Sequence, residues 1–292
     1  MVSAGKFAGQ ILLFLDIPTF VEYNLIMNFL SSQFFPSSGL SSSTEKVGFR
    51  FGNKGTHTSR TIMFEELSTL LKCADPAASR VDYAALIIEQ NCLAKSTAAT
   101  RRGTNQRLGE LYALNSSIAI FRVLRRLWTM DEYSQRLLAL VCALARDPLL
   151  AATAPVIMAL PEDSEFLREP MRAAVKHHVG DRLNDASIDK VVRNAASSWS
   201  QSGHLDGRTF KKRRRVEPHA VNVAYSLFMG YMAGFRGEDL FSSGWIAVLD
   251  CTPPAARELA LNAKRMGLID MNTGGGVTEI NLSRLDQKGG TE

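Results

Sequence analysis

The chain has 292 residues, 46% hydrophobic and 22% charged, with a net charge of +5. That length supports a full hydrophobic core or two to three small domains, and the composition excludes bulk disorder. The four cysteines, Cys73, Cys92, Cys142 and Cys251, form no CxxC pair, which argues against a disulfide framework and fits a reducing, cytoplasmic compartment.

At the N-terminus, GKFAGQILLFLDIPTFVEYNLIMNFL is apolar, but its uninterrupted run ILLFL is five residues long. A membrane-spanning helix needs about 20 predominantly apolar residues. Asp16, Pro18, Glu22 and Asn24 interrupt this stretch. Residues 1–30 therefore read as one or two buried or interfacial helices. Residues 31–58 are punctuated by Ser, Gly and Pro and read as an irregular arm, with a short extended piece in VGFRFGNKGTHTSR.

From residue 60 to about 180 the apolar spacing is helical. Ile62, Met63, Leu67, Leu70 and Leu71 form one stripe, which Pro76 ends. VDYAALIIEQNCL repeats the pattern. Leu108, Leu111 and Leu114 lie beneath an outward Arg101, Arg102, Gln106 and Arg107. Ile120, Val123, Leu124 and Leu127 point inward. EYSQRLLALVCALARD is the expected central helix of an all-α bundle.

DASIDKVVRNAASSWSQSGHL then places Ile188, Val191, Val192, Ala195 and Trp199 on a single buried stripe. Asp185 or Ser187 caps its start, and Gly203 supplies a left-handed residue at its end. Lys190, Arg193, Asn194 and Ser197 face outward, as on a DNA-recognition helix. Next, LDGRTFKKRRRVEP reads as a tight hairpin turning at Asp206-Gly207. A helix followed by a basic hairpin is the winged-helix arrangement. Arg208, Lys211, Lys212, Arg213, Arg214 and Arg215 then become a phosphate-contacting wing. After a buried helix in NVAYSLFMGYMAGFRGEDL, the grammar recurs without the charge. Thr252 caps a helix with Pro253 in its first position and Ala256, Leu259, Ala260 and Ala263 inward. A hairpin follows around NTGGG. The expected segmentation is an arm at 1–55, a helical bundle at 56–160, a first winged-helix-like unit at 161–220 and a second at 221–292.

Charge is polarised along the chain. Segment 95–126 carries seven Lys/Arg against Glu110 alone, and segment 168–217 carries twelve Lys/Arg against six acids. Each is +6, which leaves −7 for the remainder. Concentrated basic segments on an acidic body suggest a polyanion partner. Arg101, Arg102 and Arg107 would extend the basic track.

The motifs of catalysis are missing. His57, His177, His178, His204 and His219 have no metal-ligand spacing, and the sequence has no GxxxxGK[ST], GxGxxG or GxSxG. Neither cofactor nor metal is expected.

The chain resembles the BrxA proteins of bacterial BREX phage-defence systems. The resemblance rests on HTSRTIMFEEL, EQNCLAKSTAATRRGTNQRLGELYAL, RDPLLAATA, and VRNAASSWSQSGHL through KKRRRVEPHAVNVAYSLFMGYMAG to FSSGWIAVLD, and covers about residues 55 to 285. It implies a small helical protein similar to the NusB antitermination fold. It also implies duplex-DNA binding without enzymatic activity, beside a methyltransferase, an ATPase and a phosphatase-like protein. Two other readings of the basic segments stay open, a protein–protein scaffold within such a complex and an RNA-binding NusB-like factor. Few aromatic residues accompany the cations, only Phe210 and Trp199, which argues against a single-strand reader.

Overall fold

The computed structural model describes residue 34, residues 42–274 and residues 277–286. The helices expected in residues 1–30 lie outside these. The described chain is mostly helical, as the spacing predicts. Its helices are α1 (Ser42–Val47), α2 (Phe64–Cys73), α3 (Arg80–Ile88), α4 (Ala98–Tyr112), α5 (Ala119–Trp128), α6 (Gln135–Arg146), α7 (Pro148–Ala151), α8 (Ala154–Ala159), α9 (Arg168–Val179), α10 (Asp185–Gln201), α11 (Ala220–Ala233), α12 (Gly244–Ala247) and α13 (Pro253–Arg265). Two antiparallel hairpins complete it. The first pairs β1 (Leu205–Asp206) with β2 (Lys212–Arg213), and the second pairs β3 (Asp270–Gly274) with β4 (Val277–Asn281).

Local chemistry sets many helix starts. Ser79 and Asp82 form a reciprocal capping box on α3, and Thr97 caps α4. Thr252 caps α13 with Pro253 in the first turn, as expected. The cap of α10 is Asn184, one residue before the expected Asp185, and its side chain accepts from Ser187 N–H at 2.9 Å. Gly203 has the expected left-handed backbone just past the end of that helix.

Helix α6 is buried along nearly its whole length, Leu137 to Arg146, and α11 is buried from Ala220 to Gly230. The other helices pack around these two. One apolar cluster runs from Phe34 to Leu285 and draws on every expected segment. The boundaries at 160 and 220 therefore separate elements that share one core.

The arm read as irregular is partly built into that core. It contains α1, and Phe34 and Phe49 pack edge-on against Trp245, with ring centroids 5.1 and 5.8 Å away. Instead of an extended piece, Thr56–Thr58 forms a 3-10 turn. Helix α2 starts at Phe64, so Ile62 and Met63 are buried just ahead of it. In the second hairpin Asn272 and Thr273 belong to strand β3 rather than to the turn, because Gly274 pairs with Val277.

Candidate nucleic-acid interface

Helix α10 buries the predicted stripe, Ile188, Val191, Val192, Ala195 and Trp199. At 100° per residue the opposite face centres on Lys190, Arg193 and Ser197. Lys190 and Arg193 are exposed and have no hydrogen-bond or ion-pair partner among the described residues, and Ser197 is half-buried. With Thr58, Ser59 and Asn194 the two cations line an open recess of about 350 Å3. Asn194 is partly engaged within the fold. It sits at the edge of the face, and its Nδ2 donates to the His57 carbonyl at 2.8 Å, pinning the 3-10 turn to the helix. The acids of this helix are engaged too, since Arg172 of α9 bridges Asp185 and Asp189.

Beyond α10, β1 and β2 pair Leu205 with Arg213 and Asp206 with Lys212. Residues 163–166 lie along the other edge of β2. Asp163 N–H donates to the Arg213 carbonyl at 2.9 Å, Phe166 N–H to that of Lys211 at 2.8 Å, and Arg213 N–H to that of Ser164 at 2.9 Å. The order along the chain is thus an edge segment, helices α9 and α10, then a two-strand ribbon closing back on that segment.

The ribbon divides the five-cation run. Side chains alternate along an extended strand, so Lys212 and Arg214 point outward while Arg213 points in. Arg213 is only 3% exposed. It pairs with Asp250, and its Nε donates to the Ile157 carbonyl at 3.1 Å. The expectation that it belongs to the solvent face is corrected. Arg214 pairs with Asp163, and Arg215 Nε lies 3.5 Å from Glu162. Lys211 Nζ donates to Ser200 Oγ at 2.7 Å and to the Gly207 carbonyl at 3.1 Å, tying the loop to α10. Lys212 and Arg208 are exposed and have no side-chain partner among the described residues.

Segment 95–126 changes most. Lys95 pairs with Glu66, Arg107 with Glu110, and Arg122 with Asp286. Arg101 donates to the Ile88 carbonyl at 2.8 Å and the buried Arg125 to that of Ala74 at 2.9 Å. Arg126 donates to the carbonyl of Arg284. The carbonyls of Ile88 and Ala74 lie at helix C-termini, where they have no partner within the helix. Arg102 alone of the proposed track is exposed and uncommitted among the described residues.

One cluster went unseen in the sequence. His57 Nδ1 lies 2.8 Å from Asp147 Oδ2, and its Nε2 lies 2.8 Å from Ser198 Oγ. The connectivity is that of a Ser-His-Asp triad, yet all three residues are buried. Ser198 Oγ also accepts from Ile62 N–H and donates to the Asn194 carbonyl, each at 2.9 Å, so its hydrogen-bonding positions are filled. Asp147 accepts three further backbone N–H groups, from His57, Leu149 and Leu150. Burial pushes the Asp147 carboxyl up, but His57 and those donors outweigh it and hold it below its ordinary value. The cluster fastens the turn under the recess to α10 and to the α6–α7 junction. Positions 57, 147 and 198 share no local motif, so only the fold brings them together.

Among the described residues no three His, Cys, Asp or Glu side chains converge to hold a metal, and no single helix is long and apolar enough to cross a membrane. No protein-family model and no curated protein matches the chain.

Proposed function

We propose that the protein binds duplex DNA, without enzymatic activity, in winged-helix fashion. Helix α10 faces the major groove, and the β1–β2 ribbon lies along the backbone. The observation that carries this reading is that two joined elements each carry uncommitted cations. Lys190 and Arg193 on α10, and Arg208 and Lys212 on the ribbon, lack partners among the described residues, and the Lys211–Ser200 bond joins the two elements. The resemblance to BrxA supports the same reading and supplies its setting, a cytoplasmic component of a bacterial phage-defence complex. Its companions there would be the methyltransferase, ATPase and phosphatase-like proteins. Most contacts would go to phosphates, so sequence preference is weak.

If Lys190, Arg193, Arg208 and Lys212 each neutralise one phosphate, the log–log salt slope is about −3.6. Affinity for a random-sequence duplex then falls about 150-fold between about 50 and 200 mM salt. Fluorescence anisotropy measures this directly. Absence of binding at low salt refutes the reading. Co-purification with a partner protein after nuclease treatment would then assign the cations to an acidic protein surface, and preference for RNA over duplex would assign them to RNA.

A further inference from the structure

We propose that the ribbon tip is an apolar wedge, Phe210 backed by Leu167, that enters a base-pair step of duplex DNA and kinks it. This rests on the DNA-binding reading and gives it a mode. Phe210 is 74% exposed and Leu167 60% exposed. No other phenylalanine among the described residues is exposed. The two side chains belong to one place. Glu165 bridges Lys212 and Phe166 N–H bonds the Lys211 carbonyl, so one further step of that antiparallel register sets Leu167 opposite Phe210.

The tip is held open by its own construction. Gly207 has a φ of 106°, and a β-carbon there would collide with the Phe210 carbonyl, so the loop turns as tightly as glycine permits. Lys211 Nζ closes it by bonding both Ser200 and the Gly207 carbonyl. These bonds shape the loop and none of them covers the Phe210 ring.

The surroundings select the occupant. Arg168, Arg208 and Lys212, next to Leu167 or within two residues of Phe210 in the chain, are exposed and have no acid partner among the described residues, and Lys211 feels the charges of both Asp206 and Arg168. The nearby acids are Asp206, 3.9 Å from Arg214, and the exposed Glu165 and Glu169, of which Glu165 lies across the register from Lys212. An apolar point where cations outnumber acids fits a target with an anionic surface and an apolar interior, as the phosphate-lined base stack has. Apolar side chains that wedge between base pairs kink duplexes by about 20–90°. Pyrimidine–purine steps such as TA open most readily, so a wedge also predicts a preference set by deformability rather than by base-edge contacts.

The test uses the full chain and duplexes carrying 2-aminopurine beside a central TA step, with a stiff A-tract duplex for comparison. Binding of the wild-type protein should raise the fluorescence and favour the TA duplex. Phe210→Ala, an exposed position that leaves the core untouched, should bind with the same salt slope, roughly 10-fold more weakly, and without the rise. Wild-type binding with no rise, or an unchanged rise in Phe210→Ala, overturns the wedge and leaves the DNA reading standing. Failure of the wild type to bind any duplex overturns both. Phe210-dependent binding to phosphatidylserine vesicles, with no unstacking, also overturns the wedge and assigns the tip to an anionic membrane surface.

Discussion

Replacing Arg213 with methionine separates architecture from binding within the basic run. The guanidinium is 3% exposed and neutralises Asp250, whose side chain is 11% exposed. Without it the Asp250 carboxylate keeps only the Val216 N–H, at 3.0 Å, and the Ile157 carbonyl keeps only the Leu160 N–H, at 3.2 Å. Stranding one member of a buried pair costs about 3–5 kcal/mol. Lys212→Met, one residue earlier on the outward face, should change stability by less than about 0.5 kcal/mol. DNA binding reverses the order. Lys212→Met should flatten the salt slope by about 0.9, whereas the folded fraction of Arg213→Met should keep the wild-type slope. Urea unfolding followed by circular dichroism gives the first quantity, and anisotropy titrations give the second. Adding Asp250→Asn to Arg213→Met should recover part of the stability, because the stranded charge is gone. A loss under about 1 kcal/mol in Arg213→Met, or a slope change equal to that of Lys212→Met, refutes the division.

Four further outcomes follow from the buried polar groups and the glycines. Burial lowers the His204 imidazole to about 4, against ~6.5 in an unfolded chain. The unfolded state therefore takes up the proton first as pH falls. The contribution is complete above pH ~6.5 and is lost between there and about 4, ~3 kcal/mol in all. Unfolding measured across that window should show a shallower pH slope in His204→Gln, and an identical slope counts against it. Asp147, held low, contributes stability above its unfolded value of ~3.9 and loses it as pH falls through the lower folded value. Asp147→Asn should remove that acid-side loss while lowering stability at neutral pH. Gly55 has an extended backbone that any residue adopts, but a β-carbon there would strike Asp147 Oδ1, so Gly55→Ala should cost about 1–3 kcal/mol. Gly103 lies within α4 with open space around it, so Gly103→Ala should gain about 0.5–1 kcal/mol in the same denaturation series.

Periodicity made the helices legible. The stripes on α5, α6 and α10 are where the spacing places them because burial follows the 3.6-residue repeat directly. Segment charge was a poorer guide. The +6 of residues 95–126 vanishes as a surface because its acids, Glu66 and Asp286, are supplied from outside the segment, and its other partners are carbonyls that carry no sequence signature. Within KKRRR a signal was available. A strand alternates its side chains, so a five-residue cationic run in a hairpin cannot present all five to one side. The arm was misread because Phe34 and Phe49 are anchored by Trp245, some two hundred residues later, and polar neighbours hide that packing from any local window.

Arg213 also decides how the molecule can be taken apart. Its guanidinium is a junction where Ile157, at the end of the helical body, and Asp250, beyond α11, meet the ribbon. Cutting α9, α10 and the ribbon out of the chain as a portable DNA-binding fragment would sever that junction and expose the α10 surface that packs on α6 and on the Thr56–Thr58 turn. Such a fragment should express as an aggregating or molten species. Specificity swaps should therefore be made as point changes on Lys190, Arg193 and the ribbon tip, within the intact chain.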